Sequence, residues 1–347
     1  MVNVYRLLRL LGVGALPEWA KLSGIWSLYL LRRRIAGVFI DPVMGCNLRC
    51  RMCYFSDPVK RDSMKGVIGQ HELECLERAI LPYALKMQIG CGTEPTLYGD
   101  LPGLIARGKR SGVPYISLTT NGQLIASGRI SLDGLVEAGL DEITLSMHGT
   151  DRDSYEYMMP GADFSLVKRL IGMLALVKAR KPKFQVRVNF TVNSRNLDCL
   201  KGNAFWQIWE DAGFMPDIVQ LRPVQKIGNT DWTDFDMKPL MDEYQVTFRN
   251  IVERCREEGI VCISPTPEAL SMVHTDQSQA VSIIEDVTYC YVSPGAVYKN
   301  GFDVENDTFY TYNGRMKTGR RLFAAIFGRG SKNKPGTTKK LNYKINK

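Results

Sequence analysis

Histidine is scarce in this chain of 347 residues, which contains only His71, His148 and His274. Zinc hydrolases draw most of their metal ligands from histidine, so three scattered histidines argue against that class of enzyme. Cysteine occurs nine times, but without the even number and regular spacing of a disulfide framework. We therefore expect free thiols in a reducing cytoplasm rather than an exported protein held together by disulfides.

Long apolar runs are also missing. The N-terminal segment MVNVYRLLRLLGVGALPEWAKLSGIWSLYLLRRR has apolar runs of about ten residues or fewer, whereas a helix that crosses a bilayer needs roughly 20. A signal peptide is disfavoured because Arg6 and Arg9 interrupt its apolar region. In addition, Glu18 stands where small residues should precede a cleavage site.

Two interpretations of this segment stay open. Its helices pack on the protein body, or they form an anchor that binds peripherally to the inner face of the membrane. In the second case, aromatic side chains would lie at headgroup level and arginines would contact acidic lipids: Trp19, Trp26, Tyr29, Arg32, Arg33 and Arg34. The segment RRLFAAIFGRG near the C-terminus has a similar composition.

Acidic residues are absent from the C-terminal segment 315–347, which carries eleven lysines and arginines. Residues 1–36 have a net charge of about +5, so the middle of the chain, at about −7, is acidic although the total is +9. The basic character therefore belongs to the two ends, and we expect no nucleic-acid partner for the body. The final segment SKNKPGTTKKLNYKINK is typical of a solvated, disordered tail.

From Gly37 onward, short apolar runs alternate with amphipathic segments of helical period. Continuous apolar strands separated by helices are typical of a parallel sheet covered by helices. Six such units do not close a barrel as eight do, so we predict an α/β fold, a partial (βα)6 parallel barrel. The six predicted strands lie in GVFIDPV, LKMQIGCG, VPYISLTTNG, DEITLSMHG, FQVRVNFTVN and PDIVQLRPV.

The pattern predicts four regions. Basic amphipathic helices occupy 1–36, the barrel core 37–230, a small α+β C-terminal extension 231–314, and a basic, partly disordered tail 315–347. In the extension, MKPLMDEYQVTFRNIVERCREEG predicts one long helix and IVCIS a short strand. GAVYKNGFDVEN predicts a hairpin around Asn300–Gly301.

Three cysteines lie within eight residues in the loop DPVMGCNLRCRMCYFSD, which follows the first predicted strand. They are Cys46, Cys50 and Cys53, with the spacing C-x3-C-x2-C and no fourth cysteine nearby. A structural zinc site would need four ligands. Three thiolates can instead bind three irons of a cubane iron–sulfur cluster and leave the fourth iron for a small molecule.

This spacing and its place in the fold resemble the radical S-adenosylmethionine (radical SAM) enzymes over roughly residues 37–225. The resemblance implies a 4Fe–4S cluster on Cys46, Cys50 and Cys53, with S-adenosylmethionine (SAM) on the open iron. It also implies a reductant such as flavodoxin or ferredoxin, whose electron cleaves SAM. The resulting 5′-deoxyadenosyl radical would then take a hydrogen atom from a substrate.

The resemblance further implies contacts to SAM from the loop and the second strand end. Met52 and Tyr54 flank Cys53 and would meet the adenine. GCGTEP is similar to the Gly-Gly-Glu-Pro stretch of these enzymes, with Gly92, Thr93 and Glu94 near the methionine part of SAM. Thr93 replaces the second glycine of that stretch.

Other contacts would come from the strand ends TTNG and SMHG and from the fifth strand, at Asn121, Ser146 and Asn189. Many of these enzymes carry an arginine in the stretch that corresponds to YEYMMPGADF, where this chain has none. Arg187 or Arg152 is therefore a candidate partner for the SAM carboxylate. His148 is interpreted as a polar strand-end residue or as a proton donor, and no catalytic residue is assigned.

The C-terminal extension is similar to the SPASM region of radical SAM enzymes, which binds further clusters, often in peptide-modifying enzymes. The chain has Cys255, Cys262 and Cys290 there, but no cysteine after Cys290. We expect a degenerate SPASM-like region without a cluster. One auxiliary cluster on these three cysteines is the alternative.

Together these features predict a cytoplasmic radical SAM enzyme. The SPASM-like region favours a peptide or protein substrate, and the basic aromatic ends favour a lipid-linked sugar or another cell-envelope intermediate. Two alternatives from other classes stay open. One is a non-catalytic relative that keeps the fold as a scaffold, and the other is a zinc- or iron–sulfur-binding module for RNA or protein interaction.

Overall fold

The computed structural model of the chain describes residues 16–224, 241–265, 283–327 and 343–346. Within these ranges the strands form one sheet in the order β10-β7-β6-β5-β4-β3-β2-β1-β8-β9. The strands are β1 (Ala36–Ile40), β2 (Ala84–Ile89), β3 (Ile116–Thr120), β4 (Glu142–Ser146), β5 (Gln185–Val192), β6 (Ile218–Pro223), β7 (Val261–Pro265), β8 (Tyr289–Ser293), β9 (Ala296–Val297) and β10 (Tyr343–Asn346).

Helices connect these strands. The described α-helices are α1 (Glu18–Leu30), α2 (Pro58–Ser63), α3 (Gln70–Ala79), α4 (Leu101–Arg110), α5 (Gln123–Ala126), α6 (Leu132–Glu137), α7 (Arg152–Met158), α8 (Phe164–Arg180), α9 (Ala204–Glu210), α10 (Met241–Glu257), α11 (Ile283–Thr288), α12 (Phe309–Arg315) and α13 (Thr318–Phe327). Short 3₁₀ helices lie at Tyr54–Ser56, Leu81–Tyr83, Pro95–Leu97 and Leu197–Leu200. Side-chain caps fix several helix starts; Asp100, for example, accepts a hydrogen bond from the Gly103 N–H at the start of α4.

The six predicted strands are parallel neighbours in chain order, from β1 beside β2 to β5 beside β6. Helical connections between parallel strands produce this order. The prediction of an α/β fold with a partial parallel barrel is confirmed.

The two faces of this sheet differ in character. The face that packs against the helices is apolar, because residues such as Val38, Met87 and Leu145 are fully buried with helix residues in one core. The register places polar side chains side by side on the other face, which we call the polar face. It carries Lys86, Gln88, Ser117, Thr119, Glu142, Thr144, Arg187, Asn189, Gln220 and Arg222.

The C-terminal extension continues the core sheet at both edges. β7 is parallel to β6, β8 is parallel to β1, and β10 is antiparallel to β7. The core boundary predicted near residue 230 falls outside the described residues. The predicted long helix is confirmed over its described part, α10.

The hairpin predicted around Asn300–Gly301 is wrong in position. β8 pairs with β9 through Val292 with Val297 and Ser293 with Ala296, so the turn residues are Pro294 and Gly295. Gly295 has φ +77°, which suits the second central position of a tight turn after proline. Tyr298 has φ +88°, and no strand continues through it toward Asn300.

The described part of the N-terminal segment packs on the C-terminal helices. Leu22 and Ile25 of α1 are buried, and the ring centroids of Trp26 and Phe323 are 5.5 Å apart. The Tyr310 hydroxyl donates a hydrogen bond of 2.7 Å to the Arg33 carbonyl. None of the described helices combines the length and the apolar character that a bilayer span requires.

The segment 315–347, for which we expect partial disorder, contains helix α13 and strand β10. The rest of that tail beyond residue 327 and the first 15 residues of the N-terminal segment lie outside the described residues.

Candidate active site at the rim of the sheet

The cysteine loop follows β1, and Cys46, Cys50 and Cys53 are all free thiols. Burial raises the pKa of Cys46 to about 12 and also raises the pKa values of Cys50 and Cys53. The neighbouring thiols Cys53 and Cys46 raise the pKa of Cys50 further, so the three sulfurs lie close enough to repel as thiolates. Such a set becomes stable as thiolates when a metal centre supplies positive charge.

The backbone of the loop is held by the segment after α7. The Arg49 N–H donates to the Pro160 carbonyl at 2.9 Å, and the Arg51 N–H donates to the Met158 carbonyl at 3.1 Å. The Arg49 guanidinium also bonds to the Cys46 carbonyl at 2.8 Å. The stretch YEYMMPGADF, which lacks an arginine, thus supports the loop through its carbonyl groups.

Asp41, directly after β1, connects the end of β2 and strand β8 to the end of β1, and our sequence reasoning missed it. Its carboxylate accepts hydrogen bonds from the Cys91 N–H (2.7 Å) and the Gly92 N–H (3.2 Å). It also accepts from the Thr93 hydroxyl (2.9 Å) and the Tyr291 hydroxyl (2.8 Å). Its side chain is only 1% exposed. An acidic residue directly after a buried strand was the signal that could have identified it.

Glu94 has a similar role on the other side of the rim. One carboxylate oxygen accepts from the Thr96 N–H and from the hydroxyls of Thr96 and Thr120, and the other accepts from the Asn121 N–H at 2.8 Å. The Asn121 side-chain amide donates to Asn47 Oδ1 at 2.9 Å. Glu94 thus positions Asn121, and Asn121 in turn contacts the cysteine loop.

Tyr54 and Gly92 form the contact between the loop and GCGTEP. The Tyr54 hydroxyl donates a hydrogen bond to the Gly92 carbonyl. A Cβ at position 92 would clash with the Tyr54 hydroxyl oxygen, so a larger residue there would displace the Tyr54 side chain and break this contact. Met52, on the other side of Cys53, is 7% exposed and packs in the core.

Ser146 and Asn189 are paired neighbours on β4 and β5, on the polar face. The buried Asn189 Oδ1 has no hydrogen-bond partner among the described residues. Buried polar atoms normally have partners, so an open acceptor at this position suits a ligand with a hydroxyl or amino donor.

Comparison with known proteins adds to this geometry. Residues 40–188 match the model of the radical SAM superfamily. These residues form a radical SAM domain. The chain is 31% identical over 153 residues to a probable GTP 3′,8-cyclase of Metallosphaera sedula, covering 44% of this chain and 45% of that protein. It is 27% identical over 192 residues to the GTP 3′,8-cyclase of Chlorobaculum tepidum, covering 55% of each.

The chain thus spans about half the length of the curated relatives it matches. Among solved structures, Streptococcus suis SuiB bound to S-adenosylmethionine superimposes with a TM-score of 0.58 at 14% identity, covering 96% of this chain and 79% of that one. At this identity the likeness shows the fold alone. It agrees with the partial parallel barrel described above.

A 4Fe–4S cluster and SAM are the cofactors of radical SAM enzymes, and the residues of this chain fit them. Three free thiols on one loop supply the donor set that leaves one iron open. Asn189 offers an unused acceptor beside Ser146. The residues at this rim of the sheet therefore suit both a 4Fe–4S cluster and SAM.

The two arginines that were candidate partners for the SAM carboxylate make other contacts or lie at the surface. Arg187 pairs with Glu142 at 2.8 Å on the polar face, and Arg152 is exposed at the start of α7. The Cys91 thiol, beside Gly92, donates to the Gln88 carbonyl at 3.8 Å.

The C-terminal cysteines of this radical SAM chain do not converge. Cys255 and Cys262 are neighbours whose thiols hydrogen-bond, which raises the pKa of Cys255. Cys290 lies on β8, and six strands separate it from Cys262 on β7. All three are fully buried in the core. An auxiliary cluster on these three cysteines is therefore wrong for the described structure.

Another group of potential metal ligands lies at the surface. Donor atoms of His71, Cys75 and Glu305 all lie within 4.8 Å of one another. His71 and Glu305 already interact at 2.9 Å, and the Arg78 guanidinium is 3.9 Å from the Cys75 sulfur. A guanidinium beside the sulfur disfavours a metal cation, so we interpret this group as a link between α3 and the C-terminal extension.

His148 is neutral in the folded protein. Its Nδ1 accepts a hydrogen bond of 3.1 Å from the Thr191 N–H, so the ring proton is on Nε2. Burial lowers the pKa of His148 to about 4, and the cation of Arg222 lowers it further in the same direction. The ring is therefore a poor proton donor near neutral pH.

This state predicts a pH effect on stability. The unfolded chain, with an ordinary histidine pKa of 6.5, binds a proton that folded His148 does not, so stability is lost as the pH falls from about 6.5 to 4. The difference is worth about 3 kcal/mol. We expect His148→Asn, which keeps an acceptor for Thr191, to lose less stability than the wild type over this range in urea denaturation. The exposed His71→Asn is the control, and equal pH slopes for all three proteins would contradict a neutral, buried His148.

Proposed function

We propose that this chain cleaves SAM reductively and abstracts a hydrogen atom from a substrate, with a 4Fe–4S cluster on Cys46, Cys50 and Cys53. The observation that carries the proposal is the set of three free thiols on one loop at the rim of a parallel sheet. When bound, the cluster supplies the electron that cleaves SAM into methionine and the radical that abstracts hydrogen.

The protein's own residues would position SAM and exclude water. Asp41 and Glu94 hold the strand ends rigid through buried carboxylates. Rigid strand ends keep the backbone of Gly92 and Thr93 at a constant distance from the loop, which favours a preorganised site. The proposed SAM contacts remain Met52, Tyr54, Gly92, Thr93, Glu94, Asn121, Ser146 and Asn189.

The substrate class is a separate proposal. The relatives named GTP 3′,8-cyclases make GTP the first compound to test, although the chain matches only about half of their length. A peptide or protein and a lipid-linked sugar are the other two candidates. The auxiliary thiols that would favour a peptide-modifying enzyme lie apart, which weakens the peptide interpretation.

The test is an anaerobic assay. The full chain is reconstituted with iron and sulfide, reduced with dithionite or flavodoxin, and incubated with SAM alone and with GTP, peptides or a lipid-linked sugar. We expect 5′-deoxyadenosine, with more product when the substrate is present. A full iron complement without this product under all conditions would favour the non-catalytic scaffold, and bound zinc would favour the RNA- or protein-interaction module.

We further propose peripheral binding to a membrane through α1 and α13. These helices pack together through Trp26 and Phe323, and both leave large apolar side chains exposed. Trp19 and Phe327 are each 62% exposed, and Leu31 is 67% exposed. Exposed arginines on or directly after the same two helices are Arg32, Arg33, Arg320 and Arg321, of which Arg321 also pairs with Asp286 at 2.6 Å. Such cations suit a surface of acidic lipids.

Liposome flotation tests this surface. We expect the wild type to float with vesicles that contain phosphatidylglycerol and to remain at the bottom with neutral vesicles. Trp19→Glu combined with Phe327→Glu should reduce the floated fraction several-fold. Val59→Glu combined with Val67→Glu, two exposed valines elsewhere, is the matched control. Equal flotation of the two double variants would rule out this surface.

A further inference from the structure

The polar face carries more positive than negative charge. Its cations are Lys86 on β2, Arg187 on β5 and Arg222 on β6, whereas Glu142 on β4 is the acid among the polar-face residues of β1–β6. Parallel sheets usually bury apolar side chains on both faces. A charged side chain that is buried here needs a partner, whereas an exposed one is free to bind a ligand.

The Glu142 carboxylate already has hydrogen-bond and ion-pair partners within the protein. It accepts hydrogen bonds from the Tyr115 and Thr144 hydroxyls, and its other contact is the Arg187 guanidinium at 2.8 Å. Gln220 also accepts from Arg187 at 3.2 Å. The acid and Arg187 thus neutralise each other.

Arg222 is the cation of this face without a counter-charge. The Lys86 ammonium lies 4.5 Å from the centre of the Phe39 ring and makes no hydrogen bond or ion pair among the described residues, but the carboxylate of Glu142 attracts it and thereby raises its pKa against the effect of burial. Arg222 has no hydrogen-bonding or ion-pair partner in the part of the chain that the structure describes, and its side chain is exposed. Asp41, at the rim, is already satisfied by four donors.

Two independent observations show on which face of the sheet Arg222 lies. The register places it beside Thr191, on the same face as Asn189 and Gln220. Its charge also acts on groups of other strand segments: it opposes the burial that raises the pKa of Cys91 after β2, and it adds to the burial that lowers the pKa values of His148 after β4 and Arg187 on β5. A cation that acts on groups of three other strand segments lies over the polar face rather than on the outside of the sheet.

We propose that Arg222 binds an anionic group of the substrate, a phosphate or a carboxylate, on the polar face below the SAM site. This inference rests on the proposed function, because it concerns the substrate of the same site. A guanidinium binds phosphate and carboxylate oxygens through two parallel hydrogen bonds, so it selects for such groups by geometry as well as charge. Lys86 and Arg187 share the one acid Glu142, so the face keeps a net positive potential.

The test measures anion binding directly. The holoenzyme is titrated by calorimetry with acetate, inorganic phosphate and pyrophosphate, at low and high salt. We expect saturable binding of phosphate-type or carboxylate anions, and the three probes separate these two sources. Arg222→Gln should weaken it at least about tenfold, the loss of roughly one charge-assisted hydrogen bond. Arg222→Lys should recover part of it.

Arg129→Gln is the matched control, because Arg129 is an exposed arginine of the α5–α6 connection without a polar partner among the described residues. Wild-type affinity in this control assigns the effect to position 222. Equal binding by wild type and Arg222→Gln would place the anion on the basic ends of the chain and overturn the inference. The absence of saturable binding for all three probes would also overturn it.

A second measurement uses only the wild-type protein, so it tests the inference even if the Arg222→Gln variant does not fold. Pyrophosphate should protect Arg222 from modification by phenylglyoxal in the wild-type holoenzyme, as read by peptide mass spectrometry, while Arg129 remains unprotected. Unprotected Arg222 would overturn the inference. Calorimetry does not require SAM cleavage, so the two proposals can fail separately. A protein that produces 5′-deoxyadenosine but binds no anion would contradict this inference without contradicting the proposed function.

Discussion

Replacement of Cys50 by alanine is expected to abolish both cluster binding and SAM cleavage. Cys50 lies between Cys46 and Cys53 in the loop, and both neighbours raise its pKa. Without it, two thiols remain for a cluster that needs three protein ligands, so iron should fall from about four atoms per chain to less than about one. Iron and sulfide analysis, the visible absorption of the cluster and 5′-deoxyadenosine production should all decrease to background.

The chain offers a matched control in Cys199, a buried cysteine of the 3₁₀ helix Leu197–Leu200. Cys199→Ala should keep the full iron content and product formation, with a modest loss of stability from the small cavity. Circular dichroism would establish that the Cys50 variant is folded. A folded Cys50→Ala protein that still binds four irons and forms product would show that another ligand completes the cluster, and the proposed site would be wrong.

Asp41→Ala should produce a large loss of stability. The substitution leaves two backbone N–H groups and the hydroxyls of Thr93 and Tyr291 without their buried acceptor. Removal of one partner from a buried charged network costs about 3 to 5 kcal/mol. We expect that decrease in the free energy of unfolding, measured by urea denaturation under anaerobic conditions.

The same change should weaken SAM binding, because the backbone of Gly92 and Thr93 would lose its support. Asp41→Asn keeps one acceptor oxygen, so its free energy of unfolding should decrease less than that of Asp41→Ala. Tyr291→Phe removes one donor and should lower the free energy of unfolding by about 1 kcal/mol. Asp62→Ala, at an acid whose side chain is 66% exposed, is the control and should change stability little. A loss below about 1 kcal/mol for Asp41→Ala would refute its role as the central acceptor of the rim.

The strand–helix alternation was predictable because the hydrophobic pattern of each strand and helix is contained in a short segment of the sequence. Each apolar run between Gly37 and Pro223 became a strand in chain order, and the loop after β1 holds the three cysteines as predicted. GCGTEP and TTNG meet because parallel strands end at one edge, which follows from fold class alone. By contrast, the Asn300–Gly301 signal was local and misleading, since Pro294–Gly295 closes the hairpin first.

Residues far apart in the chain decided the rest. The convergence of Cys255, Cys262 and Cys290 could not be judged from spacing, because it depends on which sheet edge each strand joins. β8 joins beside β1, whereas β7 joins beside β6. Asp41 is one acid among many in the sequence, and its importance depends on Tyr291, 250 residues away.

The sequence by itself therefore determined the fold class, the three-thiol loop and the order of the motifs around the rim, because periodicity and spacing are properties of neighbouring residues. Only the tertiary structure decided which carboxylates hold the rim, which cysteines stay apart and which cations on the polar face lack a counter-charge. Those features depend on strand pairing and burial, which bring together side chains that the linear sequence separates.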